Sequence, residues 1–101
     1  MSKRFDEKAR ELDAHPVMRE IALSFSRTLS THVPLSQNFH VLDYGCGSGL
    51  IGMHLYSAVK SMTMMDSSEG MLNVLKEKIQ KDNISNMMVS QKVQNRLKIA
   101  L

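Results

Sequence analysis

The fold is decided by a short stretch in the middle of the chain, VLDYGCGSG at residues 41–49. Its apolar start predicts a strand over residues 39–44, which runs into three glycines at alternate positions, Gly45, Gly47 and Gly49. Glycine lets the backbone turn sharply and lets a ligand approach it closely. The mostly apolar residues 49–56 predict a helix, whose free N–H groups would lie behind the turn. The stretch therefore predicts a strand, a ligand-binding loop and a helix.

Strands and helices alternate on the carboxyl-terminal side of this loop. A second strand is predicted at residues 58–65 and a weaker third at residues 84–90. Between them an apolar stripe at helical spacing predicts a helix that Ser67 or Ser68 can cap and that ends at Asp82-Asn83. Such alternation predicts parallel strands joined by crossover helices.

The residues before the loop are helical in pattern. Apolar residues at helical spacing predict helices over residues 5–12 and 16–30, separated by His15-Pro16, because the residue before a proline avoids the helical conformation. The last residues, 91–101, have apolar positions at helical spacing and predict one more short helix.

These elements predict an α/β fold: a partial, Rossmann-like three-layer α/β/α arrangement with a mostly parallel sheet and N-terminal helices. A complete doubly wound sheet needs on the order of 150 residues, so this chain of 101 residues has room for about half of such a sheet. We divide it into an N-terminal helical segment, residues 1–38, and a Rossmann half that binds the ligand, residues 39–101.

The second element of the predicted site is Asp66. It stands at the end of the second predicted strand, beside the glycine loop. A carboxylate there can accept hydrogen bonds from two adjacent ribose hydroxyls. The loop and the acid, one strand–helix–strand unit apart, together predict a site for a nucleotide-like ligand.

Two ligand classes fit such a site. The sequence from Gly47 to Gly52 matches the dinucleotide pattern G-x-G-x-x-G, but that register puts residues 43–46 in the strand, where Asp and Gly are disfavoured. It also sets Asp43 near a pyrophosphate, where like charges repel. S-adenosylmethionine (SAM) has no phosphate but has an ammonium and a sulfonium, which an acid attracts. This balance favours SAM over NAD or FAD.

The segment from Asp43 to Gly49 resembles the first motif, D-x-G-x-G-x-G, of Rossmann-fold (class I) SAM-dependent methyltransferases, in which cysteine is common between the first two glycines. Asp66 matches the acid at the end of that family's second strand. The N-terminal FDEKA, followed by Asp13 and His15-Pro16, is similar to the helical segment of small bacterial members. The resemblance covers roughly residues 5–89.

The resemblance implies a role for each matching residue. Asp43 and the backbone of Gly45 and Gly47 would hold the methionine end of SAM, Gly49 would open the following helix, and Asp66 would hold the ribose. Ser67 would lie against the adenine, where the family usually has an apolar residue. Gln91 is the nearest candidate for the acid or amide that the family often has after the third strand, near the adenine amine.

The chain departs from the family after Val89. The family's fourth strand carries residues that face the methyl acceptor, whereas residues 91–96 are too polar for a central parallel strand. We therefore expect a truncated chain with little or no transfer activity alone. Three hypotheses stay open: a methyltransferase, with a small molecule as the suspected acceptor, a non-catalytic SAM-binding or oligomerisation module, and a dinucleotide-binding protein.

Composition narrows the remaining classes. The net charge is +3 with the basic residues scattered among acids, which is typical of solvated helix faces rather than a nucleic-acid surface. Cys46 is the only cysteine, the first ten residues lack the apolar core of a signal peptide, and no apolar run is long enough to span a bilayer. These features predict a cytoplasmic protein without a membrane partner. The four histidines share no metal-binding spacing, so no metal site is predicted.

Two further expectations concern Cys46 and the first strand. Cys46 could be a reactive thiol near a helix N-terminus, but a packing role is the commoner one. In the family the first strand is central, between the second and the fourth. Without a fourth strand, residues 39–44 form an apolar sheet edge, and such an edge favours pairing with a second copy. We therefore predict a homodimer.

Overall fold

The computed structural model describes residues 2–91, and the side chains from residue 6 onwards. The predicted tail helix at residues 91–101 lies, after Gln91, outside the described residues. The main elements in chain order are α1 (Ser2–Ala14), α2 (Pro16–His32), β1 (His40–Tyr44), β2 (Ser61–Met65), α3 (Glu69–Lys81) and β3 (Met87–Ser90).

The three strands form one parallel sheet in the order β1–β2–β3. Asp43 lies opposite Met64, and Met64 lies opposite Val89, so the strands run in register toward a common carboxyl-terminal edge. The α/β class, the parallel strands and the N-terminal helices are confirmed. Parallel pairing brings the end of β1 and the end of β2 together, which places the glycine loop beside Asp66.

The core lies on one face of this sheet and is built largely from methionine. Met62 and Met64 alternate along β2 on the same face, where Met64 is 0% exposed, and Met87 of β3 pairs with Met62. Leu72 and Leu75 of α3 belong to the same buried cluster. Methionine is flexible and fills irregular gaps, so these side chains can pack closely against the leucines of α3.

The opposite face is open within residues 2–91. Leu42, Thr63 and Met88 pair across the three strands and share this face. Leu42 is 52% exposed and Met88 is 63% exposed. The described helices therefore cover one side of the sheet.

The break between the two N-terminal helices lies where the sequence predicts it. His15 has extended backbone and caps α2, because its Nδ1 accepts a hydrogen bond from the Val17 N–H at 3.1 Å. Pro16 occupies the first helical position, where its missing N–H costs nothing. Helix α1 then packs along α3.

The helix predicted at residues 49–56 is wrong. Two 3-10 helices, Gly52–His54 and Tyr56–Ala58, connect the loop to β2 instead. The segment lies so close to the sheet that a Cβ added at Gly52 would be 2.6 Å from the Met64 Cε. Bonds three residues apart, such as Leu55 N–H to the Gly52 carbonyl at 3.0 Å, hold this tight path. Behind the loop the chain makes one α-type turn, with the Met53 N–H donating to the Gly49 carbonyl at 2.9 Å, and then 3-10 helices rather than a regular α-helix.

Two predicted strands begin later than expected. β2 begins at Ser61 rather than at residue 58, because Ala58 belongs to the second 3-10 helix. β3 begins at Met87 rather than at residue 84. Ile84 instead closes the end of α3, where its N–H donates to the Ile79 carbonyl at 3.0 Å and Asn83 has φ 52°.

Candidate functional site

The glycine loop leaves β1 with left-handed backbone at every second residue. Gly45, Gly47 and Gly49 have φ of 77°, 57° and 83°. The N–H groups of Gly45 and Cys46 both donate to the Met65 carbonyl, at 2.7 and 2.9 Å. The loop is thus anchored to the end of β2, so that it spans the carboxyl-terminal edge of both strands.

Two of these glycines meet different surroundings. A Cβ added at Gly49 would lie 2.6 Å from the Leu75 Cδ1, so Gly49 allows the loop to pack on α3. A Cβ added at Gly45 would meet no atom within 4 Å. Gly49 is required by the core, whereas Gly45 borders open space in which a ligand could approach the backbone.

Asp66 holds the loop with both of its carboxylate oxygens. Oδ2 accepts the Gly47 N–H at 2.8 Å and Oδ1 accepts the Ser68 N–H at 2.8 Å. A carboxylate oxygen has two lone pairs, so each oxygen keeps one for a further donor. The backbone bonds therefore orient the carboxylate without using up its capacity for two hydroxyl donors.

Asp43 stands near Asp66, and none of the described residues pairs with it. Its side chain is half-buried, and within residues 2–91 no hydrogen bond or ion pair reaches its carboxylate. Burial, and secondly the negative charge of Asp66, raise the pKa of Asp43. The end of β1 thus presents an acid whose charge the described residues leave uncompensated.

Cys46 lies between the same two acids. Burial, and then the charges of Asp43 and Asp66, raise the pKa of the Cys46 thiol to about 12. Its Sγ donates to the Gly47 carbonyl at 3.4 Å. A thiol with this pKa stays protonated at neutral pH, which argues against the reactive-thiol alternative and for the packing role.

Ser67 and Gln91 come together where β2 and β3 end. The Gln91 Nε2 donates to the Ser67 carbonyl at 3.1 Å, and both residues are exposed. Of the two serines proposed as caps, Ser68 caps α3, with its Oγ accepting the Met71 N–H at 3.2 Å. Ser67 is therefore free of the capping role and lies next to Asp66 on the loop side.

One residue in contact with the loop was not singled out as functional by the sequence. Asp13 is 7% exposed, and its Oδ1 accepts hydrogen bonds from the Ser48 Oγ at 2.7 Å and the Lys78 Nζ at 2.6 Å. The available signal was an acid at a core-facing position, four residues after the buried Ala9 on the same side of α1. A charge at such a position calls for a partner.

The described residues show neither a metal cluster nor a membrane span. Between residues 2 and 91, no three histidine, cysteine or acidic side chains gather as a metal site would require. None of the helices in that range has the length and apolar character needed to cross a bilayer. His15 caps α2, and the ring of His32 bonds the Thr28 carbonyl at 2.9 Å.

Comparison with known proteins points in one direction. The family described as "Methyltransferase domain" matches residues 41–100. A malonyl-[acyl-carrier protein] O-methyltransferase from Priestia megaterium is 31% identical over 88 residues, which is 84% of this chain and 32% of that protein. An uncharacterised methyltransferase from Schizosaccharomyces pombe is 43% identical over 44 residues, 44% of this chain and 16% of that protein.

Solved structures show the same fold at low identity. The N-methyltransferase NodS from Bradyrhizobium japonicum, in complex with S-adenosylhomocysteine (SAH), has a TM-score of 0.62 and 20% identity, over 81% of this chain and 39% of that one. An rRNA methylase from Streptococcus thermophilus has a TM-score of 0.64 and 19% identity, over 76% of this chain and 46% of that one. These likenesses concern the fold alone.

The length of the match limits what it says about a whole enzyme. The chain spans about a third or less of the length of the curated relatives that it matches. The family match covers more than half of this chain and includes the whole glycine loop and Asp66. The chain therefore belongs to the methyltransferase domain family, among the class I SAM-dependent methyltransferases.

Proposed function

We propose that this chain binds SAM at the carboxyl-terminal edge of β1 and β2 and forms the cofactor-binding part of a SAM-dependent methyltransferase. The observation that carries the proposal is the unpaired charge of Asp43. This half-buried acid lies beside the glycine loop and has no cationic partner among residues 2–91. SAM brings an ammonium and a sulfonium, and either would compensate this charge.

The other site residues receive complementary parts of the ligand. The open space over Gly45 allows the methionine end to approach the backbone of Gly45 and Gly47. The remaining lone pairs of Asp66 accept the two ribose hydroxyls. Ser67 lies against the adenine, with the Gln91 amide nearby. Gly49 allows the loop to pack closely on Leu75 of α3.

The same geometry disfavours a dinucleotide. A pyrophosphate would add negative charge beside Asp43, whose pKa is already raised by burial and by the charge of Asp66. Dinucleotide sites place the pyrophosphate at the N-terminus of a regular α-helix, whereas the segment after this loop forms one α-type turn and two short 3-10 helices. The corrected secondary structure thus supports SAM over NAD or FAD.

Methyl transfer from SAM requires these residues to orient the cofactor rather than to transfer a proton. SAM, when bound, would supply an electrophilic methyl group: an acceptor's lone pair would form a bond to the methyl carbon as the methyl–sulfur bond breaks and SAH leaves. Fixing the cofactor in one orientation is itself a large contribution to such a displacement. Asp43 and Asp66 would hold the two ends of the cofactor and so fix its orientation.

For the acceptor we propose a small molecule, free or attached to a carrier as in the name of the Priestia relative. The basic side chains nearest to the loop do not form a free nucleic-acid surface, because Lys78 and Arg19 both pair with Asp13. We expect the chain alone to transfer methyl groups poorly. Multiple turnovers on a panel of small acceptors would contradict that expectation.

Isothermal titration calorimetry tests the ligand. We expect SAM and SAH to bind, and NAD to bind at least about tenfold more weakly because of the repulsion at Asp43. Asp66→Ala should weaken SAM binding by about 1.5–3 kcal/mol, since hydrogen bonds to a charged acceptor are lost. Asp82→Ala, an exposed acid at the far end of α3, is the matched control and should bind as the wild type does. Tighter binding of NAD than of SAM would overturn the proposal.

We also propose a homodimer through β1. Within residues 2–91 this strand pairs on one side only, and Leu42 and Tyr44 are exposed on it. An unpaired edge with apolar side chains favours a two-fold pairing of equivalent strands. Sedimentation equilibrium at micromolar concentration should give twice the chain mass, and a clean monomer of 11.4 kDa would contradict it.

For the location we propose the cytoplasm. The support is chemical: the chain has a single cysteine, so it forms no intrachain disulfide, and that thiol is held protonated. Fluorescence microscopy of a tagged chain tests this, and a signal confined to the envelope would contradict it.

A further inference from the structure

The buried acid Asp13 joins three parts of the molecule. It lies in the last turn of α1. Its carboxylate accepts one hydrogen bond from the Lys78 ammonium of α3 and another from the Ser48 hydroxyl of the glycine loop. Arg19 of α2 approaches its Oδ2 at 3.5 Å and donates to its backbone carbonyl at 2.8 Å. A carboxylate at a helix C-terminus is unfavourable, and burying it adds to that cost, so these partners are what keeps it in place.

Its contact with the loop falls on the residue between two left-handed glycines. Ser48 is buried, and it stands between Gly47 and Gly49, both of which have positive φ. On one side, Asp66 holds the Gly47 N–H. On the other side, Asp13 holds the Ser48 hydroxyl. The loop is thus clamped between a strand end and the N-terminal helices.

We propose that Asp13 is a positioning residue, which fixes Ser48 and so keeps the backbone of residues 45–49 in the geometry that receives SAM. It does not touch the ligand in this account, and its effect passes through Ser48. The inference rests on the proposed SAM site and extends it, because it makes the N-terminal helices part of the cofactor site.

The chain contains a matched set of contacts for separating positioning from stability. Asp6 accepts the Asn73 amide at 3.3 Å, which joins α1 to α3 without reaching the loop. Ser48→Ala removes only the loop contact and leaves the Asp13–Lys78 pair intact. Asp13→Ala removes both and could unfold the chain, so Ser48→Ala is the primary variant.

The first measurement is made without ligand. Amide hydrogen exchange of residues 46–50 should be at least fivefold faster in Ser48→Ala than in the wild type, with Ser48→Thr restoring protection. Asp6→Ala should leave exchange in this loop unchanged while lowering the melting temperature. Equal loop exchange in Ser48→Ala and the wild type would overturn the proposal, whether or not the chain binds SAM.

The second measurement is the affinity for SAH. Ser48→Ala should bind about five- to tenfold more weakly at a nearly unchanged melting temperature, and Asp6→Ala should bind normally. In the Asp13→Asn, Ser48→Ala double variant the two losses should not multiply, because both act through one contact. Multiplying losses would overturn the proposal. Failure of the wild type to bind SAH would instead overturn the SAM site and leave the exchange experiment to decide the role of Asp13.

Discussion

Two acids close to the glycine loop differ in whether the surrounding residues pair with their carboxylates. At the end of α1, Asp13 is buried and surrounded by donors from Ser48, Lys78 and Arg19. At the end of β1, Asp43 is half-buried, has no partner within residues 2–91 and has a raised pKa through burial and Asp66. The first charge is neutralised inside the fold. The second is not neutralised by any residue from 2 to 91.

The difference follows from where each acid stands. The end of a parallel strand lies at the edge where ligands of α/β proteins bind, because loops rather than packed elements follow it. The last turn of α1 instead packs against α3, where Lys78 is within reach. Position in the fold thus separates an acid that is paired inside the fold from the acid that we propose as a ligand contact, although the residue type is the same.

The largest expected effect on stability comes from removing the cation that pairs with Asp13, which leaves this carboxylate more like that of Asp43. Lys78→Met removes its nearest cation while keeping the side-chain volume, and leaves a buried carboxylate with Ser48 and Arg19. Breaking one partner of a buried pair should lower the free energy of unfolding by about 3 kcal/mol. Urea denaturation measures it. Lys76→Met, exposed on the same helix, is the control and should change stability by less than about 0.5 kcal/mol.

A smaller effect separates the two sides of the loop itself. Gly49→Ala places a Cβ against Leu75 and forces left-handed backbone, and should destabilise the chain by about 2 kcal/mol. Gly45→Ala has the same backbone strain but no contact within 4 Å, and should cost about 1 kcal/mol. Equal losses in urea would mean that the core does not require Gly49.

The pKa of Cys46 reports its burial and, secondly, the negative charges of Asp43 and Asp66. A pKa raised from 9.0 to about 12 lowers the thiolate population, and the higher nucleophilicity offsets only part of that loss. Alkylation by iodoacetamide at pH 8 should therefore be about 30-fold slower in the folded chain than in urea. Asp43→Asn should speed the folded-state reaction, because one source of negative charge is removed. Identical rates in the folded and unfolded chains would show that neither burial nor the two acids raise the pKa of the thiol.

The smallest expected effect is on stability against pH. The pKa of Asp43 is raised in the folded chain, so its contribution favours folding below its unfolded pKa of 3.8 and is lost as pH rises through the folded value. Asp43→Asn should therefore match the wild type in acid and exceed it in stability at neutral pH. A gap of the opposite sign in urea titrations at several pH values would mean that the ionised Asp43 has a partner in the fold.

Much of the architecture follows from local patterns. Alternating apolar segments predict the parallel sheet, His15-Pro16 predicts the break between α1 and α2, and the glycine spacing predicts the loop. These features depend on a few neighbouring residues each. The adjacency of Asp43 and Asp66 follows equally well, because parallel strands end at one edge.

Two features could not be predicted, because they depend on contacts distant in sequence. The helix expected over residues 49–56 is replaced by 3-10 turns because Gly52 packs directly on Met64, a contact that periodicity does not encode. The pairing of Asp13 with Ser48 and Lys78 joins residues 35 and 65 positions apart. A single sequence shows an acid on a helix but not which loop it reaches.

The most direct test of the difference between the two acids is SAM binding to Asp43→Asn, measured by calorimetry beside its free energy of unfolding. If Asp43 binds the cationic end of SAM, the affinity of Asp43→Asn for SAM falls by about tenfold or more. The free energy of unfolding of this variant at neutral pH then rises or is unchanged. An unchanged affinity, or a parallel loss of affinity and stability, would contradict the account.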